Sequence, residues 1–495
     1  MIRRVLGCAA AAALLGGCAA DVGESVSPDD LQTRTQAARP TEGEGHLGIV
    51  FGDDEARSIA SPEGYVRVWY AIDGRHEVVP TDADDDGIPD FAQMVAEIAD
   101  DVLADLEARG WPLALTDVGR VAGDDGGDTA FDIYLVDIGS GDGFFVREGC
   151  TESPVVRCSG WFGMENDFRG YGYPSLDYAV RVLVSHEYFH AVQAAIHADL
   201  PGWASEGTAT WNEEVYDPNQ SDFERLTTTF FEDPGRSLNS RQLGPFDSFA
   251  YGTGLFFWHL TETTGEATLL DAFTRFGAGD TTFEDALVDA VDAAGTDWPT
   301  VFGHFHARVQ FTGEYTIEGG GFDHAADLPA FDRTALDGRA ANWEREVAGW
   351  AAVYAELERP RDLTLTNEPL DGWDTTPWVV LAPVDTWADS ESFSLLAPGE
   401  SVTLSAGAPV ALALVNMDPT ERSAGRLTIR GATGDEGSGD GPIDDGSGDA
   451  PIDEDTSSGG SDGCAAAGAS PTAGASVALF ALALLGGLRR RTRGR

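Results

Sequence analysis

Residues 183–193 read LVSHEYFHAVQ. His186 and His190 stand four apart, and Glu187 directly follows the first. On an α-helix, residues four apart lie about 40° apart around the axis and about 6 Å apart along it. The flanking pattern from Ser175 to about His197 is helical, so both imidazoles can reach one cation with Glu187 beside it. Two histidines can also share a helix face for packing alone. A third donor and supporting groups decide between the two readings.

The third donor comes from PGWASEGTATWNEE, residues 201–214. Pro201 and Gly202 break the first helix, and a second runs from about Trp203 to Val215 with Glu206 early in it. Two antiparallel helices on a tight turn bring Glu206 back beside the histidines. Two His and one Glu with an open fourth position make the donor set of a catalytic Zn²⁺ site. Glu213, seven residues on and on the same face, is placed to orient a ligand from behind. A third histidine is the competing donor, expected six residues after His190 beyond a glycine turn. Ile196 and Gln193 occupy those places. His197 lies about 10 Å along the axis from His190 in a continuous helix and is read as a surface histidine. Tyr251, in FAYGTGLFFWHL, can donate its phenol to an oxyanion or simply pack at a helix start. His259, His304 and His306 are read as structural.

HExxH followed by EGTATWNE resembles the gluzincins, which include thermolysin and the aminopeptidase N relatives. The resemblance implies a zinc metallopeptidase acting on peptide or protein substrates. It implies Glu206 as third zinc ligand, Glu187 as general base and Tyr251 as oxyanion donor. The gap from His190 to Glu206 is shorter than in those families, which demands a tighter connection. The longer run from MENDFRGYGYP through HEYFHAVQ to YGTGLFFWHL resembles metalloproteases of myxobacteria that carry a MYXO-CTERM sorting tail, over roughly residues 80–280 and the tail. FGMEN, residues 162–166, is similar to the Gly-x-Met-Glu-Asn strand with which aminopeptidase N relatives hold a substrate amino group, with the x missing. The plainer reading is an edge strand beside the zinc helix that pairs with substrate backbone.

The chain has 84 acidic and 31 basic residues in 495, a net charge of −53. Such a chain repels phosphate backbones, which excludes nucleic-acid binding. Part of the acid lies in TDADDDGIPD, residues 81–90. Asp82, Asp84 and Asp86 alternate, Gly87 permits a sharp turn and Asp90 closes the segment, presenting hard oxygens to Ca²⁺. The loop resembles those of thrombospondin type 3 repeats and dockerins, without the closing glutamate of an EF-hand. A solvated acidic turn before a helix starting near Asp90 is the alternative.

Both ends read as addresses. Residues 1–17 form a signal peptide, and LLGGC resembles the bacterial lipobox, which implies lipidation of Cys18. Residues 18–45 are a tether. Residues 433–463 are a Gly/Ser/Asp linker expected to be disordered. Residues 464–495 carry Cys464, an apolar run and RRRTRGR, and resemble the MYXO-CTERM tail. The body is therefore expected outside the cytoplasm, at the cell envelope as an outer-membrane lipoprotein or at the cell surface. It is held to the membrane by the lipid, the tail or both. In an exported chain, Cys150 and Cys158 around CTESPVVRC read as a local disulfide, with two free thiols as the alternative.

The body is read as α+β. Residues 46–360 form a catalytic domain, for which the gluzincin resemblance implies a mixed sheet with an edge strand and a zinc-binding helical half. Short alternating strands over 361–432 suggest a small β-sandwich. The expected function is that of an exported, surface-anchored zinc metallopeptidase. The alternatives are an aminopeptidase of the same clan and a calcium-stabilised surface binding protein with a decayed or structural zinc site. A structural site normally fills all four positions, usually with cysteines, and neither body cysteine is near these ligands in sequence.

Overall fold

A computed structural model describes residues 38–431, apart from 44, 122–125, 140, 244–246, 318–320, 323–324, 385–386 and 388–392. Cys18, the linker at 433–463 and the tail at 464–495 lie outside the described residues. Among the described residues no helix is long and apolar enough to cross a membrane.

Strands β1 (Ala56–Ala60) and β2 (Val66–Ala71) pair antiparallel. Val66, Val68 and Tyr70 alternate inward from β2, as a strand with one buried face requires. They meet helix α1 (Asp90–Arg109), whose Phe91, Val95, Ile98, Val102 and Leu106 form one apolar stripe. Gly110, left-handed at φ 92°, closes the helix with backbone bonds to the carbonyls of Glu107 and Leu106. Strand β3 (Phe131–Val136) is buried along its whole length, as befits a parallel strand covered on both faces. Strands β4 (Gly143–Thr151) and β5 (Arg157–Glu165) form an antiparallel pair, joined near its turn by the Cys150–Cys158 disulfide. The sheet runs β1-β2-β3-β5-β4, with β2, β3 and β5 parallel and β4 at one edge.

Helix α2 (Leu176–Ile196) packs on β4, β5 and α1 and is buried on nearly every side. The Ser175 hydroxyl caps its start by accepting from the Tyr178 amide at 3.1 Å. Helix α3 (Gly202–Tyr216) returns against α2 after the turn at Pro201. Beyond it come α4 (Gly254–Thr264), α5 (Glu266–Phe276), α6 (Phe283–Ala293) and α7 (Trp298–Arg308). The molecule is thus of mixed α and β structure: α1 lies between β2 and β3 of the first sheet, and α2 to α7 follow that sheet.

The second β unit begins earlier than residue 361. Strands β6 (Thr334–Leu336), β7 (Ala341–Val347) and β8 (Ala352–Arg359) already belong to it. They join β9 (Leu363–Pro369), β10 (Trp378–Pro383), β11 (Ser394–Leu396), β12 (Ser401–Leu404), β13 (Gly407–Val415) and β14 (Ser423–Gly431). One sheet runs β11-β10-β13-β8-β6 and the other β12-β9-β14-β7. Trp343, Leu357, Leu365, Val379, Leu412 and Leu427 fill the space between them. The sequence reading missed β7 and β8 because their charged residues interrupt the apolar alternation. The tether boundary also shifts, since Arg39 is buried in the folded body rather than lying in a free segment up to residue 45.

Candidate metal centre

Helix α3 packs against α2 on one side and closely against the segment around Thr253 on the other. A Cβ added at Gly207, next to Glu206, would lie 2.1 Å from Thr253 Oγ1 and 2.9 Å from the Phe257 ring. Thr253 sits between a short helical turn, Phe249–Gly252, and α4. Its hydroxyl lies 2.7 Å from both the Trp203 and Ala250 carbonyls. On the other side, Asn212 Nδ2 donates to the Ser185 carbonyl at 2.9 Å, and Arg109 donates to Asn212 Oδ1 at 2.6 Å.

This register brings His186, His190 and Glu206 together, with one donor atom from each inside a 4.8 Å group. Glu206 Oε2 lies 3.4 Å from His186 Nε2 and 3.5 Å from His190 Nε2. Bonds of about 2.0–2.1 Å in a tetrahedral site set ligand-to-ligand edges of about 3.3–3.4 Å. The three donors therefore fit one small divalent cation. His186 and Glu206 are buried and His190 is half-buried.

Glu213 accepts from His186 Nδ1 at 2.7 Å, and its other oxygen accepts from the Asp222 amide at 3.1 Å. That bond leaves the His186 Nε2 lone pair for the cation. Electrostatics point the same way. Burial alone would lower the affinity of His186 for a proton, but bonds to Glu206 and Glu213 raise it well above the usual imidazole value. His190 is also raised, with burial opposed chiefly by the charge of Glu206. Burial pushes Glu206 up, yet the two imidazoles hold it far below the ordinary carboxylate range. A site that attracts positive charge so strongly is suited to a cation.

Glu187 is buried beside these donors, and its carboxyl is pushed up to about 7, first by burial. The two histidines oppose this shift, while Glu206 and Asp142 reinforce it. The start of β4 lies against this side chain. A Cβ on Gly143 would be 2.9 Å from Glu187 Oε1 and 2.5 Å from Leu183 Cδ1. Tyr251, on the short helical turn, stacks its ring on His186, with centroids 5.9 Å apart and planes at 21°.

FGMEN is not the edge strand. It ends β5, an inner strand, and the edge belongs to β4. Glu165 already accepts from the amides of Ile138 at 2.9 Å and Gly139 at 3.2 Å and from the Tyr171 hydroxyl at 2.9 Å. Asn166 donates to the Glu77 carbonyl at 2.7 Å. These bonds pin the ends of neighbouring strands and give both residues a structural role.

In the acidic loop, Asp82, Asp84 and Asp86 bring carboxylate oxygens within 4.8 Å of one another. Asp90 does not join that group. It opens α1 and accepts from the Ala83 amide at 3.1 Å, which ties the loop to the helix. Asp82 accepts from the amides of Asp86 at 3.2 Å and Gly87 at 2.9 Å, so the loop is already ordered by its own backbone.

The remaining histidines lie in other surroundings. His197 follows the end of α2 and stacks on Phe276 with centroids 4.2 Å apart. His259 bonds the Val301 carbonyl at 3.1 Å, His304 stacks on Phe393, and His306 pairs with the Tyr354 hydroxyl at 2.8 Å. The sequence reading missed Gln193 and Ser205, which support His190, and Gly143, which makes room for Glu187. Gln193 carried a readable signal, standing one helical turn after His190. Gly143 carried none, because β4 pairs with β5 across a disulfide-closed turn that alternation alone does not reveal. No protein-family model matches the chain, and no curated protein matches it.

Proposed function

We propose that the chain is an exported zinc metallopeptidase of gluzincin type, with Zn²⁺ held by His186, His190 and Glu206. One observation carries the reading: the Glu206 carboxylate lies at tetrahedral edge spacing from both imidazole nitrogens, with Glu187 buried alongside. Zinc in such a site supplies Lewis acidity toward a peptide carbonyl and toward water. Glu187 takes a proton from the attacking water and returns it to the leaving amine. Tyr251 donates its phenol to the developing oxyanion. The edge strand β4 aligns an extended peptide by backbone pairing. Calcium in the Asp82–Asp84–Asp86 loop ties the start of α1 to the sheet.

Substitution Glu187→Gln tests the chemistry. Turnover of casein or of a peptide library should fall about 10²–10⁴-fold, while metal analysis still finds one zinc. Unchanged turnover would sink the mechanism. A zinc-loaded wild-type protein that cleaves nothing would favour a binding protein instead.

A further inference from the structure

We propose that Gln193 is a positioning residue that dictates which nitrogen of His190 faces the cation. The inference rests on the metal-site reading above and extends it to a residue outside the ligand set. Gln193 is buried, with its side-chain nitrogen 2.9 Å from the Ser205 carbonyl and 2.9 Å from Thr208 Oγ1. A carbonyl can only accept, so the end of Gln193 that meets it must be the NH₂ group. The opposite orientation would press two acceptors together. Thr208 agrees, because its own hydroxyl donates to the Ala204 carbonyl at 2.7 Å and leaves a lone pair for Gln193.

With the amide held this way, Gln193 Oε1 faces His190 Nδ1 at 2.9 Å. Oε1 is acceptor only, so Nδ1 carries the hydrogen and Nε2 keeps its lone pair for the cation. Ser205 Oγ completes the arrangement, 2.8 Å from Gln193 Oε1 as donor and 3.2 Å from His190 Nδ1. The turn into α3 therefore sets the tautomer of His190 through one neutral side chain. His186, by contrast, is backed by the carboxylate of Glu213. The neutral partner matters because Glu187, Glu206 and Glu213 already place three carboxylates in one buried site.

The test is zinc affinity of the intact chain, measured by competition with a chromophoric chelator, for wild type, Gln193→Met and Gln193→Glu. Methionine keeps the volume and removes the acceptor, and should weaken binding about 10–100-fold. Glutamate keeps an acceptor toward Nδ1 but turns a second acceptor on the Ser205 carbonyl, so it should weaken binding, yet by less than about tenfold. The visible spectrum of the cobalt-substituted protein should shift in the methionine variant and not in the glutamate variant. Equal affinities for wild type and Gln193→Met would overturn the proposal, as would a tenfold or greater loss in Gln193→Glu, which decides alone should the methionine variant not fold. A wild type that binds no zinc would instead overturn the metal site itself.

Discussion

Arg39 shows how much a single residue can hold. Its guanidinium is buried and bonds Asp117, Asp132 and Glu148. These carboxylates come from the loop after α1, from β3 and from β4, so one side chain ties the N-terminal segment to the edge strand beside the metal centre. Burial pushes Asp132 up to about 6 and Glu148 up to about 7, against the pull of Arg39. Both values exceed the ordinary carboxylate range, so the folded state holds these protons more tightly than the unfolded chain. Their contribution is full below about pH 4 and is lost as pH rises through 6 to 7. Arg39→Leu removes the guanidinium that Asp117, Asp132 and Glu148 share. It should destabilise the protein by about 3–5 kcal/mol, with a larger loss at pH 8 than at pH 5, read by urea unfolding at both pH values. An equal loss at the two pH values would contradict this account. Nothing in the local sequence around Arg39 marks it, since its partners lie 78, 93 and 109 residues away.

At the scale of elements, the metal centre is a contact between α2, α3 and the first residue of β4. The helical half of this was legible: four-residue spacing set the histidines on one face, and Pro201–Gly202 announced the return that delivers Glu206. The strand half was not, and Gly143 is its decisive residue. Gly143→Ala would drive a methyl into Glu187 and Leu183. It should cost about 1–3 kcal/mol of stability and lower peptidase turnover at least tenfold while zinc content stays at one. Turnover equal to wild type would show that β4 does not position Glu187. The acidic loop teaches a related lesson. Asp90 closes the acidic segment in the sequence, but in the fold it opens α1 and accepts from the Ala83 amide.

For the whole molecule, one face of the sandwich sheet β11-β10-β13-β8-β6 joins the core of the helical half, while the space between the two sandwich sheets is a core of its own. Helix α7 lies on the five-stranded sheet, and Val301, Phe302 and Phe305 share a cluster with Val380, Ala411 and Ala413. Trp350 is the rivet. It is buried in a left-handed conformation at φ 45°, stacks on Trp298 at 4.5 Å and meets Trp203 of α3 at 5.9 Å. A non-glycine residue keeps such a conformation only where packing over-determines it. Trp350→Ala should therefore cost about 3–5 kcal/mol and split the calorimetric unfolding of the wild type, expected as one transition, into two. A single transition at an unchanged midpoint would mean that the sandwich is merely appended.

By itself the sequence determined the periodic and the local: the helix carrying His186 and His190, its return helix, the short-range cysteine pair and the acidic loop. These follow from spacing along one element or across one turn, which repeat lengths dictate. Only the tertiary structure decided which strand became the edge, which glycine made room for Glu187, where the sandwich began and what clasped Arg39. Each of those depends on atoms brought within contact from distant parts of the chain, and no periodicity encodes such meetings.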